Sequence, residues 1–180
     1  MDPLKRLWRG PVACALSLLL CAVPLLPAQE ESLEYRVKAA FLLNFTKFVE
    51  WPAPDPPTSS APFALCIAGE DPFGPALGEI VEGETVNGRK IVIRHIRGDA
   101  SASCSLLYVS KEEKNVPGIL ASAGYGVLTV GEGDAFLDEG GMIGFVLENK
   151  RVRFNIDLAA AQREGLKLSS RLLSVARLVR

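Results

Sequence analysis

Between residues 32 and 50, apolar side chains recur at helical spacing on two opposite sides. At about 100° per residue, Leu33, Val37, Ala40, Phe41, Asn44 and Phe48 share one face. Tyr35, Leu42 and Val49 lie opposite, seven residues apart, flanked by Ala39 and Leu43, with Arg36, Lys38 and Lys47 at the borders. The first stripe is expected to face the core, which puts Asn44 inside and requires a partner for its amide. The second stripe is then outward. A helix apolar on two sides is sandwiched either within a core or between chains. This makes Tyr35, Leu42 and Val49 a candidate contact face.

The pattern changes after Trp51-Pro52, because the residue before proline avoids the helical region. Residues 52–62 are proline-rich and read as an extended connection. Phe63–Ala68 is apolar without alternation, as in a strand covered on both faces of a parallel sheet. Asp71-Pro72 suits a helix start, giving a short helix over 73–81. Strands follow at 88–96 and 106–109, then a helix from Ser110 to about 121, opened by the capping box Ser110-Lys-Glu-Glu113. A strand covers 126–130, and Asp134 caps a single turn. Strands at 142–148 and 152–156 form an antiparallel hairpin around Asn149-Lys150. Asp157 caps a helix that Gly165 ends, and Ser169 or Ser170 caps the last one, with Leu168, Leu172, Val175, Ala176 and Val179 as its stripe. Strands separated by helices imply right-handed parallel crossovers. The expected fold is a three-layer α/β sandwich with a mostly parallel sheet and an antiparallel C-terminal hairpin.

The first 28 residues stand apart. Lys5, Arg6 and Arg9 precede an uncharged apolar run over 12–26, and Ala28 then gives way to Gln29-Glu30-Glu31. This is the layout of a secretory signal cut after Ala28. The run is shorter than the ~20 residues that cross a bilayer, and Leu20 before Cys21 does not make a lipoprotein signal. Removal of residues 1–28 leaves 180 less 28, or 152, residues, read as one domain over 29–180. It also removes three basic residues and one acidic one, taking the net charge from −1 to −3. Such a chain has no bulk attraction for nucleic acid or anionic membrane. Of the four cysteines, Cys66 and Cys104 remain. In an oxidising compartment two thiols usually pair; the alternative is two buried reduced cysteines.

Candidate chemistry is sparse. The one histidine, His95, lies inside a strand, and no G-x-S-x-G elbow is present, so nucleophilic catalysis has no support. One histidine and two cysteines make a poor metal set, and neither a metal nor a cofactor is expected. The loop Gly69-Glu70-Asp71-Pro-Phe73 joins a buried strand to a helix at the carboxyl edge, where open α/β sheets bind ligands. Gly69, Glu70 and Asp71 are thus a second candidate site, although the two carboxylates would repel an anion. Capping and turn geometry explain the same residues.

Several segments, in order, resemble the YfiR family of exported α/β proteins. They are residues 35–52 (Tyr-Arg-Val-Lys-Ala-Ala-Phe-Leu-Leu-Asn-Phe-Thr-Lys-Phe-Val-Glu-Trp-Pro), 65–73 (Leu-Cys-Ile-Ala-Gly-Glu-Asp-Pro-Phe), and Gly88-Arg-Lys-Ile91. Cys104 with Leu107-Tyr-Val-Ser110, Val127-Leu-Thr-Val-Gly-Glu132 and Gly140-Gly-Met-Ile-Gly-Phe145 continue the series. Val152-Arg-Phe-Asn-Ile156 and residues 165–173 complete it. The resemblance implies a periplasmic, non-enzymatic regulator. Such a protein binds the periplasmic sensory part of an inner-membrane diguanylate cyclase, holds it inactive, and so lowers cyclic di-GMP and biofilm formation. It also implies an outer-membrane lipoprotein antagonist and a Cys66–Cys104 disulfide. Some members carry a second, more C-terminal pair; this chain has no cysteine after Cys104, so the resemblance carries no second bridge over. The residues leave two further readings open: a second copy of the chain on the first helix, and a periplasmic small-molecule-binding protein using the Gly69–Phe73 edge.

Overall fold

The computed structural model describes residues 26–52, 61–97 and 103–180. The expected signal segment lies outside the described residues except for its last three positions, which open the first helix. Most of the proline-rich connection also lies outside them. The elements are α1 (Leu26–Phe48), β1 (Val49–Glu50), β2 (Phe63–Ala68), α2 (Pro75–Val81), β3 (Thr85–Val86), β4 (Arg89–Ile96), β5 (Leu106–Val109) and α3 (Val116–Ser122). They continue with β6 (Leu128–Glu132), α4 (Gly133–Asp138), β7 (Ile143–Glu148), β8 (Arg151–Ile156), α5 (Leu158–Arg163), β9 (Lys167–Leu168), α6 (Ser170–Val175) and β10 (Leu178–Val179).

One sheet has the order β10-β8-β7-β6-β5-β2-β4-β3. The run β4-β2-β5-β6-β7 is parallel, while β8 against β7 and β3 against β4 are antiparallel. All six residues of β2 are buried because both faces are covered. Phe63, Leu65 and Ile67 join a core with α1, α2, α5 and α6. Ala64, Cys66 and Ala68 join another with Ile119 of α3 and Phe136 and Leu137 of α4. The result is the expected three-layer sandwich. The Phe136 ring lies over Gly131 and Gly141; a Cβ at Gly131 would sit 2.5 Å from it, so this contact requires glycine.

Local chemistry places most boundaries. Asn149 and Lys150 take positive φ (50° and 61°), the mirror-image turn that suits the twist of a two-residue hairpin loop. The Asp157 carboxylate accepts from Ala160 N at 2.8 Å, and the Ser169 hydroxyl accepts from Leu172 N at 3.2 Å. The capping box does not open a helix at Ser110. Instead the Glu113 carboxylate accepts from Lys114 N and Asn115 N, each at 2.9 Å, and α3 waits for Val116-Pro117. Asp71 likewise turns the chain one step early, accepting from Phe73 N at 2.8 Å, so that Pro75 and not Pro72 begins α2. After Val175 the chain extends, and β10 runs parallel to β8, with Arg177 N donating to Phe154 O.

Cys66 and Cys104 are disulfide-bonded, with Cα atoms 5.8 Å apart. Cys66 faces the α3/α4 core from β2, and Cys104 precedes the neighbouring strand β5. The bridge closes a separation of 38 residues, a constraint on the unfolded chain of about 3–4 kcal/mol in the loop-entropy model. Cys66→Ala is expected to lower the thermal and urea midpoints while the domain still folds. Unchanged midpoints would show the bridge to be thermodynamically idle.

The phase of α1 is the reverse of the sequence expectation. Tyr35, Leu42 and Val49 are buried, Leu42 completely, whereas Leu33 is 64% and Val37 38% exposed and Asn44 faces solvent. Tyr35, Leu42 and Val49 are therefore core residues and not an outward contact face, and the Asn44 amide needs no buried partner. Two contacts select this phase. Phe45 is fully buried against Phe145 and Phe154, with ring centroids 5.9 and 5.1 Å away. Lys38, on the same side, is carried inside to a carboxylate on β6.

Candidate interaction site

Tyr35 and Lys38 sit one turn apart on the inner side of α1, above the carboxyl ends of β5 and β6. Lys38 Nζ donates to both oxygens of Glu132, at 2.9 and 2.8 Å, and also pairs with Glu34. The Tyr108 hydroxyl donates to Glu132 Oε1 at 2.7 Å. The ammonium lies 4.5 Å from the centre of the Tyr35 ring, which adds a cation–π contact. Burial pulls the Lys38 pKa down, but hydrogen bonds to Glu132 and Glu34 outweigh it and hold the amine above the ordinary lysine value. Burial raises Tyr35, and burial together with the Glu132 charge raises Tyr108 well above the ordinary phenol value. Near neutrality the ammonium and both phenols therefore keep their protons. The cluster ties α1 to the sheet.

At the neighbouring strand end the structure brings Gly69, Glu70 and Asp71 beside the loop after β5. A Cβ at Gly69 would lie 3.2 Å from Ser110 Cβ and 3.3 Å from Glu113 Cβ, at a φ of 86°, so close packing and backbone conformation both favour glycine. Asp71 uses one oxygen for Phe73 N and the other for His95 Nε2, 2.8 Å away. Glu70 is exposed. The loop thus works as a turn and a strand-to-loop tie, with both Asp71 oxygens engaged. Among the described residues, no group of three or more His, Cys, Asp or Glu side chains is placed to hold a metal.

Two apolar surfaces face solvent instead. The first is a groove of about 480 Å³ between the outer side of α1 and the β7–β8 hairpin, floored by Leu33, Val37, Phe41, Leu147 and Val152. The second is the C-terminal edge, where Val175 is 54%, Leu178 49% and Val179 38% exposed. The sequence pattern puts Leu33 and Val37 on the expected inward stripe of the first helix and Val175 and Val179 on the stripe of the last one, and gives Leu147 and Leu178 no role. The signal that could have located the groove was Leu147, an apolar residue beside a tight turn, where a strand runs out past the helices. Among the described residues, no helix is long and apolar enough to cross a membrane.

Residues 35–177 match the model of a family described as YfiR/HmsC-like. No curated protein matches the sequence. Among solved structures, a conserved domain protein from Vibrio cholerae O1 biovar El Tor strain N16961 superposes with a TM-score of 0.55 at 9% identity, covering 81% of this chain. The chain spans 60% of the length of that protein. At this identity the likeness shows a shared fold and nothing further.

Proposed function

We propose, given that the chain belongs to the YfiR/HmsC-like family, that it is an exported periplasmic regulator that represses an inner-membrane diguanylate cyclase by binding its sensory part. Residues 1–28 direct export and residues 29–180 form the working domain. An outer-membrane lipoprotein relieves repression by drawing the regulator away. The protein acts by association and not by catalysis. Its family and its disulfide support this reading, the bridge being suited to an oxidising compartment.

The observation that carries the binding reading is the exposed C-terminal edge. Three large exposed apolar residues lie within five positions, Val175 at the end of α6 and Leu178 and Val179 on the margin strand β10, where a partner gains by covering them. Arg177 lies among them and Arg180 follows them, paired with Glu148, Asp138 and Asp157. The small-molecule reading is less favoured, because a ligand at the Gly69–Asp71 loop would have to displace the His95 contact or the Phe73 N–H from Asp71. In cells with the cognate cyclase, Leu178→Asp is expected to raise cyclic di-GMP to the level of a strain lacking the regulator, with the melting temperature near wild type. A stable, exported Leu178→Asp protein that still represses would remove this edge from the interface.

A further inference from the structure

β4 has β2 on one side along its length, but on the other side it is covered only at its start. There β3 pairs with Arg89 and Lys90, and Ile91 N donates to Glu84 O just beyond. Among the described residues no strand lies beside Val92–Ile96 on that side. Backbone N–H and C=O groups alternate in direction from one strand residue to the next. The Ile91 bond shows that the odd-numbered residues turn theirs away from β2, so the open backbone groups are those of Ile93 and His95. Around them Ile91, Val92 and Ile93 are only half-buried, while Lys90, Arg94, His95 and Arg97 are exposed. Lys90, Val92 and Arg94 share one face of the sheet, and Ile93 and His95 the other.

Charges on an edge strand commonly keep other strands away, and the two margins of this sheet carry them differently. At the β10 margin the protein neutralises its own arginines, Arg177 with Glu148 and Arg180 with Asp138 and Asp157. At the β4 margin, among the described residues, no carboxylate pairs with Arg89, Lys90, Arg94 or Arg97. Arg94 reaches the Ser103 hydroxyl, Asp71 is taken by His95, and Glu84 by Lys47 of α1. We infer that the open part of β4 takes up an extended acidic segment of another protein as an added strand. The backbone of that segment bonds to Ile93 and His95, its carboxylates meet Arg94 and Arg97, and its apolar residues cover Val92 and Ile93. A second copy of the same margin is a poor occupant, because it would set cation against cation.

The test uses the oxidised, exported protein and a short blocked peptide of alternating glutamate and valine, followed by calorimetry and amide hydrogen exchange. The control is the same peptide N-methylated at every amide, which keeps the carboxylates and removes the backbone donors. The unmodified peptide is expected to bind and to slow exchange of the Ile93 and His95 amides, and the control to do neither. Arg94→Glu and Arg97→Glu lie at exposed positions, so the fold should persist, and circular dichroism checks that it does. Each is expected to weaken binding roughly tenfold, with a smaller loss at high salt because wild-type pairing is screened too. Leu178→Asp, at the opposite margin, should bind the peptide as wild type does whether or not it represses a cyclase, which separates this inference from the proposed function. No binding at millimolar peptide, equal binding of the N-methylated control, protection away from β4, or binding that neither arginine variant weakens would overturn the assignment.

Discussion

Leu42→Asp is expected to abolish folding. Leu42 has no exposed surface, and its neighbours on the inner side of α1 include Tyr35, Ala39, Phe45 and Val49, all in the core against the sheet. A carboxylate there must either stay charged without a partner or take up a proton, and it also removes most of a buried leucine. The leucine's burial alone is worth about 1.5–3 kcal/mol. An unpaired buried polar group adds a further cost of several kcal/mol. Together these rival the whole stability of a domain this size, ~5–15 kcal/mol. Val37→Asp, five residues earlier on the outer side, is expected to leave the melting temperature nearly unchanged. A soluble, cooperatively melting Leu42→Asp protein would show that α1 is rotated from the phase described.

The second large effect concerns the buried cluster. Lys38→Met keeps much of the side-chain volume but takes from Glu132 and Glu34 the ammonium that both hold. Removing one partner of a buried pair costs about 3–5 kcal/mol, because the other charge stays inside uncompensated. Lys38→Met/Glu132→Gln is expected to recover part of that loss, since the remaining amide can still accept from Tyr108. The direction of the lysine shift fixes the pH dependence. Its pKa is raised on folding, so its contribution is fully present below the ordinary lysine value of 10.5 and is lost as pH rises through the folded value. Wild-type stability should therefore fall above about pH 10.5 in part through this group, and Lys38→Met should lack that share of the decline. Equal urea midpoints for wild type and Lys38→Met at pH 7 would show that the pair contributes nothing net.

These two residues also show what the sequence disclosed and what it withheld. The uninterrupted apolar run of β2 and the Asn149-Lys150 turn read correctly because each is a local signal: burial on both faces in one case, backbone conformation in the other. The caps at Asp157 and Ser169 read correctly for the same reason. The phase of α1 did not, because its two stripes are almost equally apolar and the inner one contains a lysine. What makes that lysine acceptable inside is Glu132, 94 residues away, and no local pattern reveals such a partner. Ser110 and Glu113 have the spacing of a capping box, but the chain between them closes a turn and the helix starts only at Val116-Pro117. The two-residue strands β1, β3, β9 and β10 have no periodicity to read; they exist because tertiary neighbours offer them backbone partners.

The candidate sites divide in the same way. The disulfide was legible from cysteine count and the expectation of export; it joins Cys66 on β2 to Cys104, two residues before the neighbouring parallel strand β5. The exposed apolar surfaces were not, because exposure follows from the helix phase and from where the hairpin and the last strand leave the helical layers. Once the phase is corrected, the large apolar residues left outside among the described ones are Leu33, Val37 and Leu147 on one surface, Val175, Leu178 and Val179 on the other, and Tyr125 by itself.

On the proposed function, this protein works by binding a cyclase sensory domain through its C-terminal edge. Calorimetric titration of the oxidised, exported protein with the purified periplasmic domain of the cognate cyclase measures this directly. Wild type is expected to bind with a negative heat-capacity change from apolar burial, Leu178→Asp to show no heat of binding, and Leu147→Asp to bind as wild type does. Wild-type affinity in Leu178→Asp, or no binding by the wild type, would contradict it.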